Sequence, residues 1–289
     1  MRRVFVIAGL LALLVSSARA QKATVSVLDF GTTPFAQKIS DTLRTRLTNE
    51  FTVADADMTR AAATGGAYSG SLNLTVSEAR DLGAVLGSEF YILGDAQTLR
   101  RSSFSKPAYY ESYCSIFLVS ARTGRLATWI RPTVQKDDSA AAEAELSQQL
   151  SNAEMIDKIV IAIRRARDDD RAQRSLVVTA SEPLIEEAPE DERAAEVQGL
   201  RMPRPYRRLR PEYPDSAARA DAEATVDVLV DVRADGEVAD VQIARWAGFG
   251  LDETTVATVR QMHFFPAMKN GSPIAMRVLL RYNFRKPPR

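Results

Sequence analysis

The residue types that carry most protein chemistry are scarce in this sequence. Its 289 residues include one His, His263, and one Cys, Cys114. A histidine can serve as a general base or a metal ligand, and both roles need neighbours: a nucleophile to deprotonate, or further ligands. With one His and one Cys, a multi-Cys zinc site, a His cluster and an intrachain disulfide are excluded. Cys114 lies in an apolar stretch and reads as a small buried hydrophobe on a strand. His263 reads as a partly buried residue at a helix end. Asp168, Asp169 and Asp170 are adjacent carboxylates. On a helix they point in different directions and make a poor metal cage. The glycine-containing loop 65–70 lacks the Gly-Lys-Ser/Thr that would make it a phosphate loop, and no G-x-S-x-G elbow occurs. Paired carboxylates doing acid–base work depend on spatial neighbours, which spacing does not define. The reading is a protein that is not an enzyme, with no catalytic, cofactor-binding or metal residues.

The elements that would position any other kind of site are easier to read. Hydrophobic residues make up 45 % and charged residues 26 %, an ordinary globular composition. Lys and Arg number 38 against 37 Asp and Glu, so charge gives no argument for a nucleic-acid partner. The chain opens Met1-Arg2-Arg3, runs uncharged over residues 4–15, and reaches Ala18-x-Ala20 before Gln21. That pattern predicts a signal peptide over 1–20, cleaved before Gln21, and hence a periplasmic protein. The alternative is a retained inner-membrane anchor, for which the apolar run is short.

Two α+β domains follow. In 21–175 the order is strand (25–30), helix (35–48), short strand (51–53), helix (77–86) closed by Gly87, strand (90–94), hairpin (109–120 with 125–130) and one long helix (139–174). Residues 176–205 form a Pro-containing linker, and six prolines punctuate 183–214. From Glu182 to Glu196 there are seven acids and one Arg; from Arg201 to Arg210 there are five arginines and no acid. Such a stretch buries little and predicts an extended, solvated tether, the alternative being an adaptor for a charged partner.

In 206–289 Val226, Val228, Val230 and Val232 alternate with polar residues, a half-buried strand. Asp235-Gly236 turns the chain into a second strand (238–246). A helix (253–263) ends before Pro266, and a last strand spans 274–284.

Arg210-Pro211-Glu212-Tyr213-Pro214, Thr225-Val226-Asp227-Val228, Asp235-Gly236-Glu237-Val238, Leu251-Asp252, Phe265-Pro266-Ala267 and Asn270-Gly271-Ser272-Pro273-Ile274 together resemble the TonB C-terminal domain, in order and spacing. Ala224 stands where that family usually has Gly. The resemblance implies a hairpin–helix–strand sheet that binds an extended peptide of an outer-membrane receptor or other envelope protein by strand addition, possible support for TonB-dependent transport included. The receiving edge would be the last strand, with Arg277, Val278, Leu279, Leu280, Arg281 and Tyr282. Pro211, Tyr213 and Pro214 would lie beside it; the alternative is that Tyr213 and Pro214 pin the domain's first helix.

A motor-coupled transducer would need residues 1–20 retained, to engage ExbB–ExbD. A third reading is an envelope-assembly scaffold. Exposed edge strands permit a homodimer without predicting one. The 27–30 strand and the 82–94 segment in turn resemble the small periplasmic domain of TolB and of curli-secretion and penicillin-binding-protein-activator lipoproteins, which implies an interaction module.

Overall fold

A computed structural model describes residues 22–103, 106–177, 185–189 and 192–286. The expected signal peptide lies outside them. Among the described residues no helix is long and apolar enough to cross a membrane.

The first block builds one mixed sheet. Its elements are β1 (Thr24–Val27), α1 (Pro34–Leu47), β2 (Thr52–Val53), α2 (Ala56–Gly65), α3 (Val76–Leu86), β3 (Phe90–Arg101), β4 (Tyr109–Ser120), β5 (Leu126–Ile130), β6 (Thr133–Lys136), α4 (Ser139–Ser151) and α5 (Ala153–Val177). The strand order is β2-β1-β3-β4-β5, with β6 also on β4. β1 pairs in parallel with β2 and β3, and the other pairs are antiparallel. Ile39, Leu43 and Leu47 of α1, Leu146 and Leu150 of α4, and Ile159 and Ile163 of α5 bury one face against Val25, Ile92, Ile116 and Leu118. The single helix expected over 139–174 is two helices. Asn152, with ψ 145°, takes an extended conformation between them, so the apolar stripe is shared by α4 and α5 rather than continuous along one rod.

Short elements precede the second sheet: β7 (Glu186–Glu187), α6 (Glu192–Val197), β8 (Leu200–Arg201), β9 (Arg204–Pro205) and α7 (Asp215–Ala220). Then come β10 (Ala224–Val232), β11 (Val238–Arg245), α8 (Leu251–Val259), β12 (Phe264–Phe265), β13 (Ala267–Lys269), β14 (Ser272–Ile274) and β15 (Met276–Phe284). The main sheet has the order β11-β10-β15-β7. Val226, Val228, Val230 and Val232 are all buried, as the period-two pattern predicts, and pack with Leu251, Val259, Met262 and Phe264. Gly236 turns β10 into β11 at φ +88°, where an added Cβ would lie 2.0 Å from the Phe264 carbonyl oxygen. Helix α8 stops earlier than the expected 263, so His263 lies beyond it; its Nδ1 meets Glu237 Oε1 at 2.9 Å.

Within the tether expected over 176–205, the described residues 186–189 and 192–205 depart from a solvated chain. β7 joins β15, β8 joins β13 and β9 joins β12. Ala195 and Leu200 are buried in the second core. Sparse apolar residues, spaced between charges, suffice here because neighbouring strand edges supply the backbone partners.

Candidate functional site

The expected receiving edge is β15, and its alternation determines what it can offer. Met276, Val278, Leu280, Tyr282 and Phe284 turn into the core, while Arg277, Leu279, Arg281 and Asn283 face outward. Ala188 N–H donates to the Arg277 carbonyl at 2.9 Å from the side away from β10. Alternation of hydrogen-bonding direction along a strand then aims the main-chain groups of Leu279, Arg281 and Asn283 the same way. Val278, Leu280 and Tyr282 aim theirs at β10. Of the six β15 residues expected at the edge, Arg277, Leu279 and Arg281 therefore present backbone to an incoming strand.

Both arginines already have partners on the outer face of the sheet. Arg277 donates from Nε and Nη2 to the two Asp231 oxygens at 2.6 and 2.8 Å. Arg281 does the same to Asp227 at 2.7 and 3.0 Å. The register sets Asp231 opposite Arg277 and Asp227 opposite Arg281, so the fork geometry follows from strand pairing. Hydrogen bonds to these carboxylates raise both guanidinium pKa values. Asp227 and Asp231 are buried although they lie on a sheet face, because the arginine stems cover them. Between the two pairs Leu279 is 52 % exposed opposite Leu229.

The edge itself is occupied at both ends. β7 pairs in parallel with Met276 and Arg277. Farther along, Arg208 Nη2 donates to the Arg281 carbonyl at 2.9 Å, and its guanidinium lies 5.6 Å from the Tyr282 ring centre. Burial raises the Tyr282 hydroxyl pKa, and Arg208 counters it. On the side away from β10, no strand pairs with the stretch from Leu279 to Asn283 among the described residues.

The Pro211–Pro214 segment is held at the far end of the strand. Tyr213 donates its hydroxyl to the Ala217 and Ala222 carbonyls at 3.2 and 2.8 Å, and its ring centre lies 6.5 Å from that of Phe284. Pro214 precedes α7 as its cap residue. These contacts tie Tyr213 and Pro214 to helix α7, and beside the β15 edge lies Arg208.

No pattern in the sequence marks the junction between the two blocks. Trp246, at the end of β11, is 1 % exposed and sits in the core of the first block with Leu28, Leu82, Tyr91, Leu93 and Phe117. Its indole N–H donates to the Gly124 carbonyl at 3.1 Å. Phe249 packs edge-on against Phe117 at 5.5 Å and lies 5.4 Å from Trp129. Gly248 permits this approach: at φ +74° its Cβ would be 2.8 Å from Phe117. Asn73 reads the second block's backbone with both ends of its amide. It donates to the Thr225 and Trp246 carbonyls at 2.9 and 2.6 Å and accepts from Thr225 N–H at 3.0 Å. Arg245 donates to the Asn73 carbonyl at 2.7 Å and to Asp227 at 3.3 Å, which links the junction to the outer face of the sheet.

Two further titratable groups are buried. Burial pushes the Cys114 thiol well above its ordinary range, so it is no ready nucleophile. Burial raises Asp252 to about 7, against hydrogen bonds from the Gly248 and Ala247 N–H groups. No group of three or more His, Cys, Asp or Glu is placed to hold a metal among the described residues.

Residues 210–285 match the family model of the Gram-negative bacterial TonB protein C-terminal. The TonB-like segment thus runs from just before Pro211 to the end of β15 and contains all nine expected partner-binding residues. Among solved structures, the TonB C-terminal domain of Pseudomonas aeruginosa is similar at 20 % identity, covering 37 % of this chain and 99 % of that one, with a TM-score of 0.28. The lipoprotein GNA1162 of Neisseria meningitidis is similar at 9 % identity, over 51 % of this chain and 99 % of that one, with a TM-score of 0.31. LpoB of E. coli is similar at 17 % identity, over 40 % of this chain and 59 % of that one, with a TM-score of 0.29. A search of curated protein sequences found no match.

Proposed function

We propose that this chain is a periplasmic cell-envelope protein that binds an extended segment of an outer-membrane receptor or other envelope protein by adding it as a strand to β15, in support of TonB-dependent transport. The observation that supports the reading is the edge from Leu279 to Asn283, which on the side away from β10 has no strand partner among the described residues and lies inside the segment that matches the TonB C-terminal family. Main-chain groups give such an interface its affinity, and the exposed Leu279 side chain gives it an apolar contact. Arg277 and Arg281 are paired with Asp231 and Asp227, so those two guanidiniums are not free to bind a partner.

The docked junction favours a second reading over motor coupling. A transducer that engages ExbB–ExbD requires reach, whereas Trp246 and Asn73 tie the second block to the first. A rigid two-block unit suits a scaffold in envelope assembly.

A photo-crosslinking residue at position 279 in the native cells tests the proposal. The expected product is a crosslink to one outer-membrane or periplasmic protein. A synthetic peptide of the crosslinked segment should then lose at least about tenfold in affinity for Leu279→Pro, which removes an outward N–H while leaving the β10 ladder intact. Equal binding by Leu279→Pro would refute strand addition, and a crosslink only to a second copy would make the edge a homodimer contact.

A further inference from the structure

The polarised stretch between the blocks has no part in the proposed function. Its acidic half nevertheless reaches the same strand. Glu186 and Glu187 form β7, parallel to Met276 and Arg277, and Ala188 closes the pairing onto the Arg277 carbonyl at 2.9 Å. The side chains fit by charge. Glu186 forms an ion pair with Lys269 of β13, and Arg277 lies in the field of Glu187. Arg208 adds a further positive charge farther along the strand, where Arg281 is paired with Asp227. The fit is incomplete: one Glu186 oxygen, Oε2, is shut away from solvent with no donor. A buried acceptor without a donor weakens the occupant that contributes it. Pairing also stops after two residues, although the strand runs on to Phe284.

We infer that Glu186–Ala188 is a built-in, displaceable occupant of the β15 edge, and that the partner strand which replaces it is an acidic extended segment running parallel to β15. The inference rests on the strand-addition reading. It adds the direction of the incoming strand, its charge and the competitor it must displace. A segment of the same chain acts at an effective concentration of about 1 mM, so a partner must outbind it or be longer than it. A longer acidic strand can pair on past Arg277 to Leu279, which the internal segment does not reach.

The probe is a fluorescent synthetic peptide of residues 182–192, added in trans to the full chain and to the double variant Glu186→Lys, Glu187→Lys. The variant should bind the peptide at least about tenfold more tightly than the parent, because its own segment no longer competes. The same peptide with lysines at positions 186 and 187 should bind neither. Ala188→Pro provides a second route: it removes the N–H that reaches Arg277 without altering charge. It should give the same gain and speed hydrogen exchange at Arg277. Equal binding by parent and both variants, with exchange at Arg277 unchanged, would overturn the inference. So would tighter binding of the lysine peptide. A partner crosslinked at position 279 equally well in parent and variants would leave strand addition standing while the internal competitor fell. Peptide gained by the variants with no envelope crosslink at 279 would do the reverse.

Discussion

At the scale of single residues, Trp246 carries the junction. It is a large side chain from one block, fully enclosed by the other, with its indole N–H satisfied by Gly124. Trp246→Ala removes that packing and orphans a carbonyl, so the expected cost is about 3–5 kcal/mol in denaturant unfolding. Both of the protein's tryptophans, Trp129 and Trp246, line this junction, so intrinsic fluorescence should report its opening directly. Asp252 holds the same loop from the other side. Its folded value of about 7 lies above the ordinary value of 3.8. Between those values the native carboxyl keeps a proton that the unfolded chain has released, so this group's contribution to stability falls as pH rises from about 4 through 7. Asp252→Asn does not titrate, and its urea midpoint should lack that slope when measured from pH 4 to 8 while the parent retains it.

At the scale of elements, what could be read from the sequence was whatever one element specifies alone. Val226 to Val232 alternate, and their strand forms with those residues inward. Ile39, Leu43 and Leu47 share a helix face and are buried on it. Elements that depend on a distant partner were not legible. β7, β8 and β9 have two residues each, too few for any periodicity, and exist because β15, β13 and β12 offer edges. Asn73 sits in a loop with nothing local to mark it, yet it bonds residues 152 and 173 positions away. The site shows the same division. The alternation of β15 was readable, but the neutralisation of Arg277 and Arg281 by Asp231 and Asp227 needed the register between two strands. The 139–174 stripe read as one helix because an extended residue at Asn152 leaves the spacing of apolar residues nearly unchanged.

At the scale of the whole molecule, the two blocks share cores as well as a chain. β4 is buried along nearly its full length because α1, α4 and α5 cover one face while α3 and the Trp246 loop of the second block cover the other. The sheet that bears the β15 edge is thereby held at a set orientation to the first block through Arg245, Asn73 and Glu78. A partner strand arriving at β15 meets a surface whose far side is anchored, so binding there bears on the entire body rather than on a loose end. In this respect the chain differs from a pair of domains on a string, in which the length of the string governs where a captured partner can be held.

The Asn73 bracket and the Trp246 plug have a consequence for the covalent connection itself. Since they hold the blocks together by contacts separate from the covalent link, one cut in that link should be tolerated once folding is complete. Val197, 89 % exposed, lies on the connecting stretch. A protease site engineered there and cut after purification should leave two fragments that co-elute on gel filtration, and denatured fragments should find each other again when mixed. Trp246→Ala should weaken their association, leaving β7 and Ala195 as the first fragment's remaining hold on the second core. The protein would then be divisible into two complementing pieces, with the packed junction acting as their fastener.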